Sequence, residues 1–473
     1  MMRKKLPIIL SLLMLLSATS CEEFLNRDPE DKISNDGLFK DMTGVKYALS
    51  GAYNSLADDY YYRKNMILNA ELKSGNIKFS SNIVEMYMDR YRDTYNFNHS
   101  PNDERTAYYF YRHLYEVLNM TNNVISNTPD AKGGTPAEKD HVLGEARTIR
   151  ALAHFDLVRL FARRYAYTNN ARHPGIVVVK QTPDVFDHPE RSDVYETYRF
   201  IVQDLKQAID LLESCKSKDK DDLWISSASA KALLARVYLY KEDWNNAIEM
   251  ATQVIQNNKY ELVPHQQYVE KIIQDKPSQE DIWMLDNSYE LAEALSKFIG
   301  VPGNVDKTQM CVSEDLLSLY DDQDVRRELF TTFENDKVTR KYQAENNIES
   351  NIPMIRLAEM YLIRAEASAR IGDQIQARSD LDKIRKRANP DAPFPNLSGQ
   401  ELIDQIILEK RKELALEGHY FFELKRLGRD ITRNDCNAKL NQNISYPNYR
   451  YVMPIPKDEI DYNKNMIQNE GYK

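Results

Sequence analysis

Two stretches of this chain repeat one another. ASAKALLARVYLYKEDWNNAIEMATQVIQNN (Ala228 to Asn258) lies on AEMYLIRAEASARIGDQIQARSDLDKIRKRA (Ala358 to Ala388), so that Ala228 matches Ala358, Ala235 matches Ala365, Asp243 matches Asp373 and Ala247 matches Ala377. Each unit reads as two helices around a tight Glu-Asp or Gly-Asp turn, with small residues where the helices cross and larger apolar ones between. Such a hairpin buries its apolar face only by stacking on neighbours, the tetratricopeptide-like pattern. Composition agrees with a helical body. Only 15 Gly and 18 Pro in 473 residues leave few helix breakers, while 42% hydrophobic and 10% aromatic residues supply a core and exclude disorder.

Capping signals place further helices. Thr135-Pro136-Ala137-Glu138 is a capping box with Pro at the first helical position, and it opens a helix running to about Phe161. Asp373 with Gln376, and Ser398 with Glu401, do the same later. Between these striped segments, Lys64 to Pro101 and Tyr260 to Val312 are long, aromatic and weakly periodic, and segments of that length are functional or carry a subdomain.

The N-terminus carries an address. Met1 to Lys5 is basic, Leu6 to Leu16 is apolar, and Ser17-Ala18-Thr19-Ser20 is small and polar, which predicts a secretory signal peptide over 1–20. The apolar run is too short to cross a bilayer. Cys21 follows at once and makes the junction resemble a bacterial lipobox, with Ala18 where a larger aliphatic residue is usual. Cys21 is therefore the expected lipidation site, and several acyl chains on it give stable attachment. Cys215, Cys311 and Cys436 show neither CxxC nor zinc spacing.

Signals for catalysis are missing. The 8 histidines form no HExxH, and there is no GxSxG, phosphate loop or GxGxxG, so the reading is non-enzymatic, with no cofactor and no metal. Asp321-Asp322-Gln323-Asp324 lacks the glycine and distal glutamate of a calcium loop and reads as capping and pairing with Arg326 or Arg327. A net charge of −9 argues against nucleic acid as a partner, because phosphate neutralisation needs a basic face. The informative excess is tyrosine, 30 residues, because its ring offers a flat apolar face and a polar tip. Tyr108, Tyr109, Tyr111 and Tyr115 lie at helical spacing and read as core.

Several ordered strings resemble the SusD/RagB family, the surface nutrient-binding lipoproteins of Bacteroidetes. They are Cys21-Glu22-Glu23-Phe24-Leu25, YRHLYEVLNMTNNVI from Tyr111, GEARTIRALAHFDLVRLF from Gly144, IRLAEMYLIRAEA from Ile355, LEKRKELALEGHYFFELKR from Leu408, and Val452-Met453-Pro454-Ile455-Pro456. The resemblance departs at His419, Tyr420 and Glu423, which read as packing variants, and at Gly75, where an aspartate often stands. It implies an all-α fold: tetratricopeptide-like hairpins in a right-handed superhelical body, with an irregular second subdomain. The divisions are 1–20 signal peptide, 21–40 lipidated tether, 41–63 first part of the body, 64–101 loop subdomain, and 102–258 body with hairpins. There follow 259–352 variable subdomain, 353–429 last hairpin and next helix, and 430–473 irregular C-terminal segment.

The same resemblance implies an outer-membrane lipoprotein, facing outward, that caps a SusC-like TonB-dependent transporter and captures oligosaccharide, or peptide in some members. Family ligand contacts fall where VEMYMDRYRDTYNFNHS and the segment after Trp283 lie. This makes Tyr87, Tyr91, Tyr95, Trp283 and Tyr289 the aromatic candidates, with Tyr91, Tyr95 and Trp283 as stacking platforms. Arg92 and Asn96 are the expected hydrogen-bond donors. A helical scaffold that binds only another protein is the remaining reading.

Overall fold

At Thr135 and Asp373 side-chain caps begin helices where the sequence puts them. The structure, a computed structural model, describes residues 35–472 apart from 104, 185, 216–221, 275, 288–294, 302–306 and 346–347. The expected signal peptide, Cys21 and most of the tether lie outside the described residues. So does Tyr289. The main helices are α1 (Met42–Leu56), α2 (Asn65–Ser74), α3 (Glu85–Tyr95), α4 (Thr106–Asn127), α5 (Pro136–Phe161) and α6 (Val194–Ser214). They continue as α7 (Ser227–Tyr240), α8 (Trp244–Ile255), α9 (Leu357–Arg370), α10 (Gln374–Ala388), α11 (Gly399–Glu413), α12 (Tyr420–Leu427) and α13 (Lys457–Tyr462). The chain is mostly helical, as expected.

Asp41 accepts from the backbone N–H of Thr43 and Gly44 at the start of α1, and Thr135 and Glu138 close their capping box on α5. Asp373 caps α10 through the N–H of Gln376, whereas Ser398 holds the cap position of α11 without a side-chain bond. α5 is buried on every side beyond Arg147. There Arg150 clamps it to α6, donating to both oxygens of Asp204 at 2.7 Å.

The two repeat units fold as matching hairpins, α7/α8 and α9/α10. Ala228, Ala235, Ala247, Ala358, Ala365 and Ala377 are all buried where the helices meet. The turns match too. Glu242 and Gly372, equivalent in the repeat, both take left-handed backbone, with φ of 60° and 90°. In each turn the next N–H closes back on the first helix, Asp243 to Tyr238 O at 2.9 Å and Asp373 to Ser368 O at 2.8 Å. Glycine takes this conformation without strain, while glutamate holds it at a cost of roughly 1 kcal/mol.

The segment 64–101 departs from the loop expectation. It forms α2, α3 and strand β1 (Ile77–Phe79). All ten residues of α2 are buried, so no polar face exists to produce an amphipathic stripe. Short antiparallel ribbons carry the rest. β1 pairs with β3 (Met310–Val312), and β2 (Asp281–Leu285) pairs with β8 (Ile352–Arg356). β4 (Phe330–Phe333) pairs with β5 (Asp336–Thr339), and β6 (Ala344–Glu345) with β7 (Ile348–Glu349). The β1–β3 pair joins the two segments read as variable. β8 runs straight into α9, with Arg356 at the junction.

Arg356 stands at the centre of a buried ionic network. Its guanidinium donates to Glu280 at 2.8 Å, to Glu413 at 3.0 Å and to Glu417 at 2.8 Å. Arg387, Arg326 and Lys341 share the same carboxylates. Glu423 belongs to a second buried cluster, paired with Lys410 at 2.8 Å and Arg426 at 2.6 Å. It is an ionic partner rather than a packing variant.

Candidate functional site

The aromatic stripe of α3 points inward. Tyr87, Tyr91 and Tyr95 recur every fourth residue, one face of a helix, and that face is buried. The Tyr91 ring lies edge-on to Phe298 at 5.7 Å while its hydroxyl donates to Asn65 Oδ1 at 2.8 Å. Tyr87 also meets Phe298, at 5.2 Å, and its hydroxyl accepts from Lys297 at 2.7 Å. Tyr95 packs on Phe79 and donates to Asn437 Oδ1 at 2.8 Å, and burial pushes its phenol well above the usual range. Trp283 sits in β2 at 0% exposure.

These placements correct the expected platforms. Rings closed on both faces by protein have no surface left for a sugar. Asn96 is likewise engaged, donating to Arg92 O and accepting from the N–H of Leu440, both at 2.9 Å. Arg92 alone of the described candidates reaches solvent, where it pairs with Asp89.

Aromatic surface is exposed elsewhere, just after the end of α1. Asp58 accepts the N–H of Tyr60 at 2.8 Å and fixes the turn. Three tyrosines follow in a row. Tyr61 and Tyr62 turn inward, and both hydroxyls donate to Asp156, at 2.5 and 2.7 Å. Tyr60 is left outside, 41% exposed, stacked on Tyr109 of α4 with centroids 4.3 Å apart and planes 20° from parallel. Tyr108 stands edge-on to Tyr109 at 5.5 Å.

Charges of both signs border this pair. Desolvation and the neighbouring Tyr109 raise the Tyr60 phenol, against the opposing pull of Arg90, and Asp58 raises it further. Arg63 donates to Asn287 Oδ1 at 2.9 Å, tying this turn to the segment after β2. A stacked ring pair with a guanidinium and a carboxylate beside it can take the C–H face of a pyranose and bond its hydroxyls. Among the described residues no group of three or more His, Cys, Asp or Glu is placed to hold a metal ion.

Sequence reasoning missed Tyr60 and Tyr109. The signal was present in Asp58-Asp59-Tyr60-Tyr61-Tyr62-Arg63, because three consecutive rings in a turn cannot all reach one core. For Tyr109, the neighbours Phe110 and Tyr111 in the same helix do bury, and they hid the one that is only half-buried.

Two family profiles match the chain. One, described as "SusD family", covers residues 318–472, and one described as "Starch-binding associating with outer membrane" covers 23–239. The starch-binding protein SusD of Bacteroides thetaiotaomicron is 40% identical over 128 residues, which are 26% of this chain and 22% of that protein's length. SusD-like protein P38 of Formosa agariphila is 24% identical across 97% of this chain and 99% of its own. A solved SusD superfamily protein from Bacteroides vulgatus superposes with a TM-score of 0.80 at 27% identity, covering 92% of this chain and 100% of that one.

Proposed function

The chain is a SusD-like family protein, and on that premise we propose that it captures oligosaccharide at the bacterial surface without cleaving it. The sugar stacks on the Tyr60–Tyr109 pair and bonds Arg90 and Asp58. Cys21 carries the lipid that holds the protein to the outer face of the outer membrane. Captured glycan passes to a SusC-like TonB-dependent transporter that the protein caps. The observation carrying the ligand class is the stacked Tyr60–Tyr109 pair, whose outer ring, Tyr60, is 41% exposed. The starch-binding description of the matched family supports the same class.

Calorimetric titration of the mature chain with maltohexaose and with laminarin oligosaccharides tests this reading. Tyr60→Phe keeps the ring and retains binding. Tyr60→Ala removes the outer ring and weakens binding at this face about tenfold, the loss of one good stacking contact. Equal affinity of Tyr60→Ala and the parent at this face sinks the platform.

A further inference from the structure

α4 has a second tyrosine-bearing face, turned away from Tyr60. There Tyr108, Tyr111 and Tyr115 line one wall of a cleft of about 630 Å³, and the C-terminal residues Glu459 and Tyr462 line the other. The cleft is a fixed feature of the fold. Asn463 donates to Pro189 O and Asn465 to His188 O, both at 2.8 Å, so the C-terminal wall is bonded to the loop that closes the cleft. Below them Arg191 donates to Gly175 O at 2.6 Å, to Ile467 O at 2.8 Å and to Asn469 Oδ1 at 2.9 Å, stapling three segments together. Tyr115 adds a bond to Val177 O at 3.1 Å.

Two features of this cleft suit a ligand. Tyr462 leaves a large ring 81% exposed on the rim, with no packing gain. Four acids line it, Glu116, Asp187, Asp458 and Glu459, against one guanidinium, and that Arg112 is taken up by Glu116 at 2.9 Å. Tyrosine rings with carboxylate acceptors suit a sugar's C–H face and its neighbouring hydroxyls. The excess of negative charge repels uronates and sulfates.

We propose that this cleft is a second saccharide-binding site, taking neutral or amino-sugar chains and rejecting anionic ones. It shares the ligand class of the function proposed above but none of its platform residues except the shared border at Tyr108. A chain bound on the Tyr60–Tyr109 pair can continue over Tyr108 into the cleft.

The test is titration of the mature chain with equal-length hexamers of glucose, glucosamine and galacturonic acid, and with a lysine-rich peptide. The chains compared are the parent, Tyr60→Ala, Tyr462→Ala and the double change Asp458→Asn with Glu459→Gln. Tyr462 is a surface ring, so its loss leaves the fold intact, and an unchanged melting temperature checks this. Binding of the neutral or glucosamine hexamer to the cleft weakens about tenfold in Tyr462→Ala and persists in Tyr60→Ala. Galacturonate binds only once the two acids are neutralised. The inference is overturned if Tyr462→Ala and the parent titrate alike, if galacturonate binds the parent as well as glucose does, or if only the peptide binds. Loss with Tyr462→Ala but none with Tyr60→Ala removes the first platform and keeps this cleft; the reverse result does the opposite.

Discussion

Replacing Arg356 by methionine keeps most of the side-chain volume and removes one charge from the centre of the buried network. The guanidinium is 2% exposed. It makes five bonds: to Glu280 at 2.8 Å, Glu413 Oε1 at 3.0 Å, Glu413 O at 2.9 Å, and Glu417 at 2.8 and 3.2 Å. Arg387 still reaches Glu280 at 2.7 Å, Arg326 still reaches Glu413 at 3.1 Å, and Lys341 still reaches Glu417 at 2.6 Å. One buried negative charge is left without its share of positive charge. Breaking a buried ion pair on one side costs about 3–5 kcal/mol, and the surviving cations put the expected loss near the lower end, about 3 kcal/mol. Urea unfolding followed by far-UV circular dichroism and by tryptophan fluorescence measures it. Trp283, in the strand paired with β8, should report the same transition as the helices. Adding Glu417→Gln to Arg356→Met removes the stranded charge and should return roughly 1 kcal/mol. A loss under about 1 kcal/mol for Arg356→Met, or no recovery in the pair, refutes the reasoning that Arg356 neutralises the buried carboxylates of this network.

Gly75 ends α2 at φ +79°, and a Cβ there would lie 2.6 Å from Arg433 Cγ, so Gly75→Ala should cost roughly 2–4 kcal/mol in urea unfolding. A change below about 1 kcal/mol would show that Arg433 yields freely. His154 is held neutral, donating from Nδ1 to Arg150 O at 2.9 Å and accepting the Val179 N–H at Nε2 at 3.1 Å, and burial lowers its pKa to about 4. The unfolded chain therefore binds the proton first. Stability contributed by the neutral ring is complete above the unfolded pKa of about 6.5 and falls by up to about 3 kcal/mol as pH drops to 4. Urea midpoints across that range should show the slope in the parent and a weaker one in His154→Gln, and equal slopes would contradict it. Cys21→Ser should abolish labelling with a palmitate analogue and release the protein from the membrane fraction, whereas persistent attachment would defeat the anchoring proposal.

Helices were legible wherever a cap or a two-faced pattern announced them, as at Thr135 and Asp373. The repeat was legible down to its turn, where Glu242 and Gly372 share one backbone state. α2 was not, because total burial erases the polar face on which periodicity depends. α3 showed its helical spacing at Tyr87, Tyr91 and Tyr95, but the charged residues between them made the segment look like a binding loop. That misreading carried over to the ligand residues. Tyrosines with polar neighbours looked available to a sugar, yet on a helix the polar neighbours face water and the rings face inward. Tyr60 and Tyr109 lie far apart in sequence, and only the fold brings the two rings together. The paired acids and bases of α11 and α12 were visible as a string but not as a network, since their partners Glu280, Arg356 and Glu366 come from distant segments.

The most direct test of the account is a crystal structure of the mature chain with maltohexaose or a laminarin hexamer bound. The account predicts a pyranose ring lying flat on Tyr60, with its hydroxyls bonded to Arg90 and Asp58. A bare Tyr60 face at saturating sugar, or an extended peptide lying there instead, would contradict it.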